Sequence, residues 1–167
     1  VLRRGGSALD AAVAVQAVLG LVEPQSSGLG GGAFLMTYDA ETGEVSAYDG
    51  RETAPASATP ELFYENGRPL PFMDAVLSGR STGVPGVVAM LGLAHREHGR
   101  LAWNELFGDA ERLASDGFIV SPRLAGMIAM GRNQAETNDA RAYFSQPDGS
   151  RTEAGDRLTN PAYAQTV

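Results

Sequence analysis

The spacing of apolar residues changes twice in the first fifty positions. From Ala8 to Val22, Ala, Val and Leu fill nearly every position, interrupted by Asp10, Gln16 and Gly20. A surface helix would keep a polar stripe. The segment is therefore predicted as a helix inside a layered domain, pressed against a sheet, with its alanines permitting close approach. Gly5-Gly6-Ser7 supplies the start, with Ser7 as N-cap and Asp10 three residues on, a near match to a capping box. Pro24 supplies the stop. From Ala33 to Asp39 the period drops to two, with Phe34, Met36 and Tyr38 alternating with Leu35 and Thr37, and Glu44 to Asp49 reads as a second strand. Asp39-Ala40-Glu41-Thr42-Gly43 between them has hairpin-loop chemistry. Both faces of the first run are mainly apolar, which predicts an antiparallel hairpin in a sheet buried on both sides or nearly so.

Helical spacing returns after Gly83-Val84-Pro85-Gly86 and runs to about His98, with Val87, Val88, Leu91, Leu93 and Ala94 inward. Asn104 to Asp116 predicts a third helix, with Leu106, Phe107, Ala110, Leu113 and Ala114 on one face and Gly117 as its stop. Ser121-Pro122 offers an N-cap and a first-turn proline for a helix to about Gln134, and Asn160-Pro161 opens a last one. Glu52 to Pro71 is rich in Pro, Ala, Ser and Thr, with a short turn at Pro60-Glu61-Leu62-Phe63. It reads as an ordered loop, because Phe63, Tyr64 and Phe72 recur in it. A helix, then strands, then helices predict an α/β (α+β layered) sandwich. The length of 167 residues suits one domain or one piece of a larger one. The opening at Val1 and the stop at Thr166-Val167, inside a first helical turn, favour the piece: residues 1–167 are expected to be a single partial domain.

Composition removes several classes of function. A net charge of −7 argues against nucleic acid or an anionic membrane as partner, since both require a cationic footprint. All 13 basic residues are Arg, which excludes a Schiff-base or phosphate-loop Lys on this chain. The absence of Cys removes thiol nucleophiles, disulfides and thiolate metal sites. No segment reaches the roughly eighteen apolar residues of a membrane span.

Gly28-Leu29-Gly30-Gly31-Gly32-Ala33 formally fits the dinucleotide pattern G-x-G-x-x-A. That loop must follow a strand and open a helix, so that the helix N-terminus faces a pyrophosphate. Here a helix precedes and a strand follows, so the glycines read better as freedom for a turn, or for close approach to a ligand or another segment. His95 and His98 share a helix face near its end, with no further ligands and no HExxH, and read as solvated histidines at the negative end of a helix dipole. Ser26-Ser27 and Ser81-Thr82 lack a partner set for nucleophilic catalysis and read as turn chemistry. Arg51 differs from these. An Arg directly after a buried strand needs an anion, and its planar fork matches a carboxylate. A ligand's carboxylate and an ion pair with Glu52, Asp49 or Asp39 satisfy it equally.

Three groups of residues together resemble the gamma-glutamyltranspeptidase (gamma-glutamyltransferase) family: Gly5-Gly6-Ser7-Ala8-Leu9-Asp10-Ala11-Ala12, Glu23 to Phe34, and Asp49-Gly50-Arg51-Glu52-Thr53-Ala54-Pro55. Ser81 to Gly86, Trp103 to Phe107, Ala114 to Phe118 and Gly155 to Leu158 continue the likeness in the family's order. Ser7 stands where Asn is more usual, an equivalent N-cap. The resemblance implies the N-terminal-nucleophile hydrolase fold, an αββα sandwich that is incomplete in this chain. It also implies a precursor that cuts itself into large and small subunits, the new N-terminal Thr of the small subunit being the nucleophile. This chain resembles the N-terminal part of the large subunit, so no catalytic residue is assigned here, and the small-subunit segment is the implied partner. In the family the Arg of the Arg-Glu-Thr-Ala-Pro motif binds the α-carboxylate of the gamma-glutamyl group, a role that falls on Arg51. The implied reaction cleaves glutathione-like amides through a gamma-glutamyl-enzyme and passes the acyl group to amino acids, peptides or water, with no cofactor and no metal. Bacterial members are periplasmic or secreted. Acylases or amidohydrolases of the same fold, acting on glutaryl-cephalosporins or poly-gamma-glutamate, are the alternative, followed by a non-catalytic module.

Overall fold

The computed structural model describes residues 1–131 and 137–167, and mixes helices with short strands. After a 3-10 turn at Leu2–Arg4, helix α1 spans Ala8–Val22. Its start is the capping box that the sequence suggests. The Ser7 hydroxyl accepts the Asp10 amide at 3.1 Å, and the Asp10 carboxylate accepts the Ser7 amide at 2.8 Å. Strands β1 (Ala33–Tyr38) and β2 (Val45–Gly50) form an antiparallel hairpin pairing Ala33 with Gly50 and Tyr38 with Val45. In its loop Asp39 accepts the Glu41 amide at 2.8 Å, and Gly43 takes φ 74°. A second, small hairpin follows, β3 (Tyr64–Glu65) and β4 (Arg68–Pro69), turned by Asn66 and Gly67 at φ 51° and 74°. Two positive φ values make the tight turn that Asn-Gly favours.

Helices α2 (Phe72–Leu77), α3 (Val87–His98), α4 (Gly108–Asp116), α5 (Pro122–Met130), α6 (Asn138–Tyr143) and α7 (Pro161–Thr166) complete the chain. Strands β5 (Phe118–Ile119) and β6 (Arg157–Leu158) pair between them. Gly117 ends α4 at φ 92°, and Ser121 caps α5 by accepting the Leu124 amide at 3.1 Å. Asn160 caps α7 through the Tyr163 amide. Helix α5 stops at Met130 with Gly131 left-handed; the predicted end near Gln134 lies outside the described residues.

Two apolar clusters hold these elements. Val13, Val87, Met90, Leu91 and Leu106 form one, with Leu35, Tyr48 and Trp103 packed against it. Leu21, Ala114, Phe118, Val120, Leu124, Ile128 and Leu158 form the other. Several expectations change here. Helix α1 packs chiefly on α3 and α4 rather than on a sheet, because its buried alanines, Ala14 and Ala17, let neighbouring helices approach. Among the described residues the hairpin is covered on one face only. Leu35 and Tyr48 turn toward the α3 cluster, while Phe34, Met36 and Tyr38 stand 68%, 72% and 68% exposed on the other face. On α3, Val88 and Leu93 are exposed and Met90 takes the inward place. Residues Trp103–Leu106 form a 3-10 turn that precedes α4 rather than its first turn.

Candidate functional site

Three loops meet where the hairpin ends. β2 closes on Gly50, and the chain leaves through Arg51, Glu52 and Thr53. Thr53 pairs with Val84, each amide donating to the other's carbonyl at 3.3 and 2.8 Å. Gly50 has no room for a side chain, since a Cβ would stand 2.6 Å from that of Met90; a Cβ on Gly86 would stand 2.5 Å from the Gly50 carbonyl oxygen. The end of the hairpin is thus seated on the start of α3 backbone against backbone, an approach that needs glycine. The Gly31 carbonyl accepts the amides of Gly86 at 3.2 Å and Val87 at 3.1 Å. Those are first-turn amides of α3 that lack a side-chain cap, and the glycine loop supplies their acceptor. Gln16 of α1 donates to the Gly28 carbonyl at 3.4 Å.

The glycine cluster is therefore used for space rather than for unusual dihedrals. None of Gly28, Gly30, Gly31 and Gly32 lies in the left-handed region. At Gly32 a Cβ would come within 2.5 Å of Glu52 Oε2 and 2.7 Å of the Gly50 carbonyl oxygen. Of the readings the sequence leaves for this loop, close approach to another chain segment is the one observed. A dinucleotide site is further disfavoured, because two of the α3 amides that could face a phosphate already bond to Gly31.

Arg51 projects from this junction with its side chain 65% exposed. Its own amide donates to Asp49 Oδ1 at 2.8 Å, which fixes the turn out of β2. Its guanidinium Nη1 donates to Glu52 Oε2, and among the described residues Glu52 is its ion-pair partner. Asp39 lies at the far end of the hairpin and takes loop amides instead. The Glu52 side chain is 28% exposed and rests between Gly32 and Gly83, where a Cβ on Gly83 would meet its own Cβ at 3.0 Å. Glu52 is the member of the site that sequence reasoning undervalued. Its signal was a second set of glycines, Gly83 and Gly86, whose place beside the first could not be read along the chain.

The other candidates fall elsewhere. Ser81 donates to the Val76 and Ser78 carbonyls at 2.8 and 2.9 Å, and Ser26 accepts from Arg123 at 3.0 Å, so both are turn and loop fasteners. His95 is mostly buried rather than solvated. Its Nε2 donates to the Leu101 carbonyl at 2.9 Å, and its ring meets Trp103 edge-on. The same Nε2 lies 3.4 Å from the fully buried Asp10. Burial pushes the Asp10 carboxyl up, but the amides of Ser7, Arg100 and Leu101 outweigh it and hold the group below its ordinary value. His98 meets the Tyr48 hydroxyl at 2.6 Å. That hydroxyl also donates to Glu97, whose carboxylate holds the phenol above its ordinary value. Among the described residues no three His, Asp or Glu side chains stand together as ligands for a metal ion.

Known proteins give this junction a context. All 167 residues match the gamma-glutamyltranspeptidase family profile. The glutathione hydrolase proenzyme of Bacillus subtilis is 39% identical over 99% of the chain and 28% of its own length. The crystal structure of Helicobacter pylori gamma-glutamyltranspeptidase superposes with a TM-score of 0.91 and 32% identity, over 99% of this chain and 48% of that one. A cephalosporin acylase from Bacillus halodurans superposes with a TM-score of 0.81 and 27% identity, over 99% of this chain and 31% of that one. The chain spans less than a third of the length of the curated relative and about half of the Helicobacter chain. With a match along its whole length and a fold shared with solved members, the chain belongs to the gamma-glutamyltranspeptidase family.

Proposed function

We propose that this chain is the N-terminal part of the large subunit of a gamma-glutamyltransferase or hydrolase, in which Arg51 holds the α-carboxylate of a glutathione-like substrate. The observation that carries the reading is the state of Arg51. It is 65% exposed, fixed at its backbone by Asp49 and held at one guanidinium nitrogen by Glu52. With Nη1 committed, the Nε and Nη2 edge, which has no partner among the described residues, can grip a carboxylate with two parallel bonds. Such a fork sets the orientation of the substrate's γ-amide before attack, which is where much of an acyl transfer's barrier can be removed. The nucleophile lies on a partner segment of the same precursor. Its Thr hydroxyl attacks the γ-carbonyl and passes its proton through the Thr amine to the departing amine. The resulting gamma-glutamyl ester is then released to an amino acid, peptide or water.

The bare face of the hairpin supports the same assignment. Phe34, Met36 and Tyr38 are turned to solvent, whereas a strand pair with one helix-covered face gains stability when a second layer covers the other. In the proposed αββα sandwich that second layer comes from the small subunit. The Arg51→Lys variant of the complete precursor, assayed on gamma-glutamyl-p-nitroanilide, is expected to raise KM by about tenfold or more, because a point charge cannot replace the fork. An unchanged KM removes Arg51 from the substrate site. The likeness to the cephalosporin acylase favours one rival, an amidohydrolase of the same fold. Faster turnover of glutaryl amides than of gamma-glutamyl amides would select it.

A further inference from the structure

We infer that Gly32 and Gly83 are positioning residues for Arg51, acting through Glu52; this rests on the reading of Arg51 as the carboxylate handle. The Glu52 side chain, 28% exposed, is set into a slot whose walls lack side chains. Its carboxylate lies against Gly32, where a Cβ would come within 2.5 Å of Oε2 and 2.7 Å of Cδ. The stem lies against Gly83, where a Cβ would come within 3.0 Å of its own. A contact of 2.5 Å does not survive in a packed structure, so a side chain at Gly32 must displace the Glu52 carboxylate, and one at Gly83 presses the Glu52 stem at 3.0 Å and the Thr53 carbonyl oxygen at 3.3 Å. Glu52 holds the Arg51 guanidinium by Nη1, and a shift of the carboxylate turns the fork with it. Small misplacements of a positioning group carry large kinetic penalties. These two glycines differ from Gly50 and Gly86 in having the Glu52 side chain as nearest neighbour, though Gly32 also meets the Gly50 carbonyl oxygen and Gly83 the Thr53 carbonyl oxygen.

The test uses the complete, matured enzyme and gamma-glutamyl-p-nitroanilide. Gly83→Ala and Gly32→Ala are expected to raise KM about five- to tenfold while kcat changes less than about threefold. On an Arg51→Lys background neither should raise KM further, because residues acting through one group are non-additive. Glu52→Asp, one methylene shorter, should recover part of the loss in the Gly32→Ala protein. Since the Gly32 Cβ also crowds the Gly50 carbonyl oxygen at 2.7 Å, Gly83→Ala is the variant to rely on if Gly32→Ala fails to mature. KM effects that add to those of Arg51→Lys, an unchanged KM in matured Gly83→Ala, or failure of both variants to mature where Glu52→Gln matures would each overturn the proposal. A KM raised by Arg51→Lys but untouched by the glycine variants removes the slot alone. A KM unmoved by Arg51→Lys removes the handle itself.

Discussion

Asp10 shows how one side chain can hold two distant parts of the chain. It closes the capping box of α1 and also accepts the amides of Arg100 at 3.0 Å and Leu101 at 3.2 Å, ninety residues on. The carboxylate form is the one that bonds, and its pKa in the folded state lies below the ordinary value. By linkage, its contribution to stability is complete above the ordinary carboxylate value of about 4 and is lost as pH falls through the lower folded value. Thermal unfolding followed by circular dichroism should therefore show an acid-side loss that Asp10→Asn flattens. At neutral pH Asp10→Ala should cost about 2 kcal/mol or more, since a cap is lost and buried amides are left without an acceptor. A Tm for Asp10→Ala equal to that of the parent would contradict this account. His95 belongs to the same knot, where Leu101 and Trp103 hold its ring.

At the scale of elements, the hairpin and α3 are joined by glycines in place of interdigitated side chains. Gly50 faces Met90, and Gly86 faces the Gly50 carbonyl. Gly50→Ala should destabilise the chain by about 1–3 kcal/mol, the usual cost of forcing atoms into a filled contact, as read from chemical denaturation. It should also displace Arg51, the next residue, so activity of the complete enzyme should fall further than stability alone explains. Loss of stability with unchanged kcat/KM would show that the junction is purely structural. The strand pattern itself was legible, down to the loop from Asp39 to Gly43. The burial of its second face was not, because Phe34, Met36 and Tyr38 carry the signature of an inward face and none of the described residues covers them. The Asn66-Gly67 turn was also readable in principle, but its flanking strands are two residues long and their alternation is too short to register.

For the molecule as a whole, the exposed hairpin face and the share of relatives that the chain spans, 28% of one and 48% of another, point the same way. The isolated polypeptide should bind an apolar dye strongly, and replacing Phe34 and Met36 by Thr should reduce that binding without loss of helix content. Dye binding unaffected by the pair of substitutions would place the apolar surface elsewhere. The isolated chain should also neither hydrolyse gamma-glutamyl-p-nitroanilide nor bind glutathione measurably. One exposed ion pair contributes about 1 kcal/mol or less, well short of the roughly 4 kcal/mol that even millimolar affinity requires. Calorimetry giving a micromolar Kd for this chain alone would overturn that expectation.

Local rules determined much of this protein from its sequence. Ser7, Ser121 and Asn160 as caps, Gly117 as a stop and the period of β1 act within a few residues of themselves. Arg51 stood out for the same reason, as a charge placed directly after an apolar strand. Tertiary structure decided what depends on residues far apart. It brought Gly31 to the amides of α3, set Glu52 between Gly32 and Gly83, and buried His95 beside Asp10. The choice among partners for Arg51 was of this second kind: Glu52, Asp49 and Asp39 are all carboxylates near it in sequence. Only the fold of the hairpin sends Asp39 to the far end, turns Asp49 onto a backbone amide and leaves Glu52 at the guanidinium.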